Sequence, residues 1–179
     1  MDGNTIRELM LSLGADNAAI LSRQDIVFDE MFRDICKSNG CGNYGKCYMC
    51  PPDVGGIKEL IEKARAFDHA VMYQVIYTIE DSFDFEGMQT AGEAFNRCAR
   101  RIQAAAGGMT NLPRLHLAAG GCRVCETCAK RENLPCRYPG FALASLESYG
   151  VDVYRTAAHA GLKYTNGINT VTYFGMLLF

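Results

Sequence analysis

The sequence predicts a single-domain α/β sandwich: a mixed sheet of about four strands, flanking helices, and two cysteine-rich metal-binding loops. Three observations point there. The run His69–Thr78 is rich in β-branched and aromatic residues, with apolar side chains on both faces, the pattern of a central strand covered on both sides. A helical stripe over 88–106 and a second strand over 115–119 follow it, giving a strand, helix, strand unit of crossover length. The length, 179 residues with 49% hydrophobic and 21% charged, suits one domain spanning 1–179.

The elements follow in order. Residues 5–13 place Ile6, Leu9, Met10 and Leu13 on one stripe, with Asn4 as N-cap and Gly14 just past the end, so a first helix is expected. A short strand is expected over 18–21. From Asp25, the residues Val27, Phe28, Met31, Phe32 and Ile35 recur at helical spacing and deliver Cys36 at the helix end. Residues 57–66 form an amphipathic helix with Leu60, Ile61 and Ala64 inward. The long helix carries Ala91, Phe95, Cys98, Ile102 and Ala105 on one stripe and stops at Gly107-Gly108. The strand over 115–119 runs into Gly120-Gly121 and Cys122, at the carboxyl end where open sheets place their sites. Two short helices come next, one ending near Tyr149 with Gly150 as the stop, the other capped by Asp152 and ended by Gly161. The hydrophobic strand Thr170–Leu178 closes the chain, and its edge is expected to be free to pair with a second copy in a homodimer.

Several function classes are excluded. The longest nearly unbroken apolar stretch, 70–79, is half of the roughly 20 residues a spanning helix needs, so no membrane partner is expected. The start of the chain has no basic region followed by an apolar core, which predicts a cytoplasmic protein. A net charge of -2 gives nucleic-acid binding no global electrostatic basis.

Nine cysteines are the anomaly, since cytosolic thiols stay reduced and an odd count leaves one over in any disulfide framework. Metal is the better reading. Eight of them fall into two bursts, Cys36, Cys41, Cys47 and Cys50 in a loop over 36–52, and Cys122, Cys125, Cys128 and Cys136 in a loop over 120–139. Cys122-x2-Cys125-x2-Cys128 presents three thiolates at successive three-residue steps, as in the opening of the bacterial ferredoxin run that meets a 4Fe-4S cubane. Cys136 supplies a fourth, more distant than in that run. Zinc is the alternative, although zinc ribbons use two separated C-x2-C pairs. Arg123, Lys130, Arg131 and Arg137 around the second loop would balance an anionic core. The first burst is less regular; Gly40, Gly42 and Gly45 let its backbone turn around a bulky centre, and the metal type there stays open. Cys98 reads as a buried free thiol. Tyr44, Lys46 and Tyr48 read either as donors to the centre or as packing for the loop. His69, His116 and His159 read as satisfied or exposed histidines, away from the bursts.

Cys41-Gly-Asn-Tyr-Gly-Lys-x3-Cys50-Pro-Pro, then Gly121-Cys-Arg-x-Cys-x2-Cys128 with Cys136, then Glu147-x2-Gly150-Val-Asp-Val, resemble an uncharacterised cysteine-rich family. It is the "predicted metal-binding protein" family, a domain of unknown function of anaerobic bacteria and archaea. The resemblance implies metal or iron-sulfur binding and a redox-linked role. Cys36, Cys41 and Cys50 match its first motif, and Cys122, Cys125, Cys128 and Cys136 its second, whereas Cys47 departs from it. Cys47 therefore either closes the first site or leaves a three-thiolate site with an open position.

The first expectation is a protein with one or two 4Fe-4S clusters, passing single electrons to or from a redox partner protein. The second is a zinc-binding structural or interaction module. The third is a redox enzyme with an open-coordination cluster at the first site, its catalytic residues unnamed.

Overall fold

A computed structural model of the chain describes residues 2–109 and 113–179. In chain order the elements are helix α1 (Gly3–Ser12), strand β1 (Asn17–Ser22), α2 (Met31–Lys37), α3 (Ile57–Arg65), β2 (His69–Thr78), α4 (Phe85–Met109), β3 (Leu115–Ala118), β4 (Ala144–Ser145), α5 (Val153–His159) and β5 (Thr170–Leu178). The five strands form one mixed sheet in the order β1-β2-β5-β3-β4. The α/β sandwich expected from the sequence is what the chain forms, with one additional strand, the two-residue β4.

Side-chain alternation divides the sheet between two cores. Ala70 and Met72 of β2 join Phe174, Met176 and Leu178 of β5 against Leu60 and Ala64 of α3 and Val153 and Ala157 of α5. Val71, Tyr73 and Val75 point the other way with Leu177, onto Ile6 and Met10 of α1 and Phe95, Ala99 and Ile102 of α4. Both faces are therefore covered by amphipathic helices, which explains why β2 reads as a nearly continuous apolar run. On α4, Cys98 lies on the buried stripe and points its thiol at the Leu13 carbonyl, 3.4 Å away, as a buried free thiol.

Six expectations are corrected. β5 is not an edge strand: β2 pairs along its whole length and β3 takes its other side over Met176–Leu178, so the basis for a sheet-edge homodimer falls away. β2 and β3, both antiparallel to β5, are parallel to each other but not adjacent, because the chain's last strand is inserted between them. The helix from Asp25 is interrupted; a 3-10 turn at Arg23–Asp25 gives way to extended backbone, where Phe28 bridges Val151 and the Asp29 amide donates to the Gly150 carbonyl at 2.7 Å. Only Met31–Lys37 is helical, which still delivers Cys36 in its last turn. The long helix begins earlier than expected, where the Asp84 carboxylate accepts the Gly87 amide at 2.7 Å, and it continues through Gly107-Gly108, neither of which has positive φ. At the first helix, Asp2 stands at the N-cap in place of Asn4. The segment expected as a helix ending near Tyr149 is one 3-10 turn, Glu147–Tyr149. Gly150 does stop it, at φ +73, and α5 is capped as expected by Asp152 accepting from the Arg155 amide at 2.9 Å.

Candidate metal centre

The first cysteine loop leaves α2 and folds back on itself. Backbone bonds from Gly45 to Pro51 (2.8 Å), Cys50 to Cys47 (3.0 Å) and Val54 to Cys50 (3.1 Å) close it, and the Asn39 side chain accepts the Tyr44 amide at 3.0 Å. This turns Cys47 and Cys50 inward, where both are buried, while Cys36 is half-buried and Cys41 exposed.

The second loop starts where β3 ends. Cys122, Cys125, Cys128 and Cys136 are all half-buried and line one small cavity together with Ala129 and Ala142. A 3-10 turn, Ala129–Glu132, follows Cys128. Arg137 reaches back over this loop to the Thr127 carbonyl at 3.1 Å, the Glu132 carboxylate at 2.8 Å and the Cys125 thiol.

The two loops, far apart in sequence, meet. At Gly121 a Cβ would stand only 3.1 Å from the Cys50 sulfur and 3.3 Å from Asn43 Nδ2, so a residue without a side chain lets the first loop seat against the second. Cys47 lies at the junction. The Cys50 thiol, then the amides of Met49 and Cys122 and the Cys128 thiol, donate toward its sulfur and hold it below the usual thiol range against the opposing effect of burial. The same contact pushes Cys50 far upward, assisted by burial and by the neighbouring Cys47, Cys41 and Cys36. Burial raises Cys122, with Cys47 and Cys128 adding to it. Burial also raises Cys36, with a contribution from the Glu147 carboxylate and an opposing one from Arg33. The thiols thus form a continuous seam from Cys36 through Cys50 and Cys47 to the second loop.

Three side-chain contacts fasten the seam from outside. Lys130 pairs with Asp53 at 2.5 Å and its ammonium stands over the Tyr48 ring, 5.5 Å from the centroid. The Tyr48 hydroxyl donates to the Leu134 carbonyl at 2.8 Å. Tyr48 is therefore a packing residue, and Lys130 and Arg137 are engaged by Asp53 and Glu132, leaving Arg123 and Arg131 of the second loop's basic residues to face the adjoining cleft. Asp53 and Leu134 carry no signal in the sequence, and Asn43 and Gly121 stand there only as motif positions; Gly121 beside Cys122 was the available signal, because a glycine next to a ligand often marks a close approach.

None of the histidines enters the seam. His116 is buried between Tyr73, whose hydroxyl is 3.0 Å from Nε2, and Gln103, whose Oε1 is 3.1 Å from Nδ1. His69 packs near Phe179, and His159 Nδ1 bonds the Asp25 carbonyl at 2.8 Å. Among the described residues no three His, Cys, Asp or Glu side chains form a ready-made group for a metal ion. The donor set is nevertheless soft and thiol-only, and several of its sulfurs already receive hydrogen bonds that favour the thiolate, which fits a thiophilic metal or cluster.

No curated protein and no solved structure matches the chain. A family model described as "Predicted metal-binding protein (DUF2284)" matches residues 19–179, from β1 through both cysteine loops to the last strand. The chain belongs to that family of predicted metal-binding proteins.

Proposed function

We propose that the protein carries at least one 4Fe-4S cluster, held by Cys122, Cys125, Cys128 and Cys136, and passes single electrons to or from a partner protein. The observation that carries this reading is the second loop: three thiols at ferredoxin-like spacing and a fourth from Cys136 line one cavity at the end of a core strand. Bound there, the cluster supplies reversible one-electron chemistry.

The chain's own groups support that charge. The Val124 and Leu143 amides donate to the Cys122 sulfur, and Arg137 lies on Cys125; hydrogen bonds of this kind stabilise the more negative, reduced form. A second centre would use Cys36, Cys41 and Cys50, with Cys47 between the two loops. Its contacts with both Cys50 and Cys128 favour a bridging place in the seam over a role as a simple fourth ligand of the first loop. Electron transfer needs neither general acid nor base, in keeping with a site built from thiols. The expected setting is the reducing cytoplasm.

The test is iron, sulfide and zinc content per chain on protein purified without oxygen, with its visible spectrum. About four irons with matching sulfide and a broad brown absorbance establish one cluster, and about eight establish two. One or two zincs without iron would move the protein to the structural class. Cys122→Ser should lose the cluster, whereas Cys47→Ser should keep iron on the second loop.

A further inference from the structure

A cavity of about 520 Å³ opens directly beside the thiol seam, within the range of small-molecule sites. One wall is α4, whose residues Gln89, Glu93, Asn96, Arg97 and Arg100 recur at helical spacing opposite its buried stripe. Such a stripe is ordinarily a solvated face, but here the two cysteine loops stand over it and contribute Lys46, Arg123 and Arg131 from the facing side. Cys41, Cys47, Cys122, Cys125 and Cys128 supply the sulfurs of its lining, so the cleft and the candidate metal centre share a wall.

The charge of this cleft is one-sided. Five basic side chains face two carboxylates, those of Glu93 and Glu126. Lys46, Arg97, Arg123 and Arg131 make no salt bridge among the described residues, and Arg100 spends its hydrogen bond on the Arg123 backbone carbonyl, at 3.1 Å. The cysteine loop's other cations, Lys130 and Arg137, are by contrast paired with Asp53 and Glu132 on the outer side. A set of guanidinium groups free of salt bridges to carboxylates, on two facing walls, offers paired N–H donors to the oxygens of a carboxylate or phosphate.

We propose that this cleft binds a small molecule with two anionic groups, carboxylate or phosphate, one on the Arg97 and Arg100 wall and the other on the Arg123 and Arg131 wall. The ligand lies against the seam where Cys47 joins the loops. The inference goes beyond electron transfer and rests on that reading in one respect: Cys122, Cys125 and Cys128 of the proposed centre also line the cleft, so the ligand lies against the loaded centre.

The test is calorimetric titration of the metal-loaded protein at low ionic strength with succinate and with 3-phosphoglycerate, and with acetate as a single-charge comparison. At least one of these two-group anions should bind saturably and at least about tenfold more tightly than acetate, since a bidentate guanidinium contact is lost with the second group. Arg97→Gln and Arg131→Gln should each weaken binding by about tenfold. Lys58→Gln, on α3 beyond the sheet, makes the same charge change and should leave binding unaltered. Binding of succinate alone assigns both subsites to carboxylates, and binding of 3-phosphoglycerate alone assigns one of them to a phosphate.

Absence of saturable binding, affinity no better than that of acetate, or unchanged affinity in both arginine variants would overturn the proposal. So would arginine variants that lose metal, because the cations would then serve the centre itself. Neither Arg97 nor Arg131 has a side-chain bond to the fold among the described residues, so circular dichroism should match the parent; Lys46→Gln provides a third variant. Iron and zinc assayed in the same samples separate this outcome from failure of the electron-transfer reading.

Discussion

Buried between the sheet and α4, His116 is held as a neutral imidazole whose Nδ1–H donates to Gln103 Oε1 while Nε2 accepts from the Tyr73 hydroxyl. Burial lowers its pKa from 6.5 to about 3. Between those values the unfolded chain binds a proton that the folded chain refuses, so the stability His116 permits is complete above pH 6.5 and declines as the pH falls toward 3. Replacing it with Gln should remove that component. From pH 7 to pH 5, denaturant titrations should show the parent losing about 2 kcal/mol more than His116→Gln, whatever the variant costs at neutral pH. Equal pH slopes would show that His116 takes up a proton as readily in the fold as in the unfolded chain. At the same scale the two cysteine-bearing loops were legible in the sequence, because clustered cysteines among glycines and prolines read as loops outside the periodic elements. The position of Cys47 was not, because its contact with Cys128 joins residues that only tertiary folding brings together.

Elements were legible where local pattern and final environment agree. β2 and β5 run over the residues that their apolar patterns predict, since both are core strands in contact with helices on each side. The segment after Asp25 was misread because Val27 and Phe28 fit a helical period equally well; a bridge to Val151, more than a hundred residues away, decides for extended backbone. β4, only two residues long, has no readable period. The neighbour order was hidden too, as nothing local says that the last strand enters between β2 and β3. The β2–β5 pairing carries a sharp test. Gly175 lies opposite Tyr73, and a Cβ there would enter the Tyr73 ring, which is fully buried, stacked on Phe95 and bonded to His116. Gly175→Ala should therefore destabilise the protein by about 1–3 kcal/mol through overpacking. Chemical denaturation measures it, and a variant as stable as the parent would mean that the ring has another place to go.

For the whole molecule, the question is whether metal holds the fold together or only its cysteine loops. Small metal domains such as zinc fingers unfold without their ion because no other core exists. Here the two cores on either side of the sheet are made by Met72, Met176, Leu178, Tyr73, Phe95 and Ile102 and their neighbours, distant from the loops in sequence. The loops themselves rest on backbone turns, on Met49 packed at the margin of the core, on the Lys130 contacts with Asp53 and Tyr48, and on the Tyr48 bond to Leu134. Partly exposed pairs of this kind contribute little, typically up to about 1 kcal/mol each. Stripping metal with a chelator under reducing conditions should therefore release residues 36–52 and 120–139 while the sheet persists. Hydrogen exchange should show amides of β2 and β5 still protected and those around Cys47 and Cys128 exchanging at least about tenfold faster, as expected when a local unit opens on its own. Simultaneous loss of protection in strands and loops would instead make the metal centre part of the single cooperative unit.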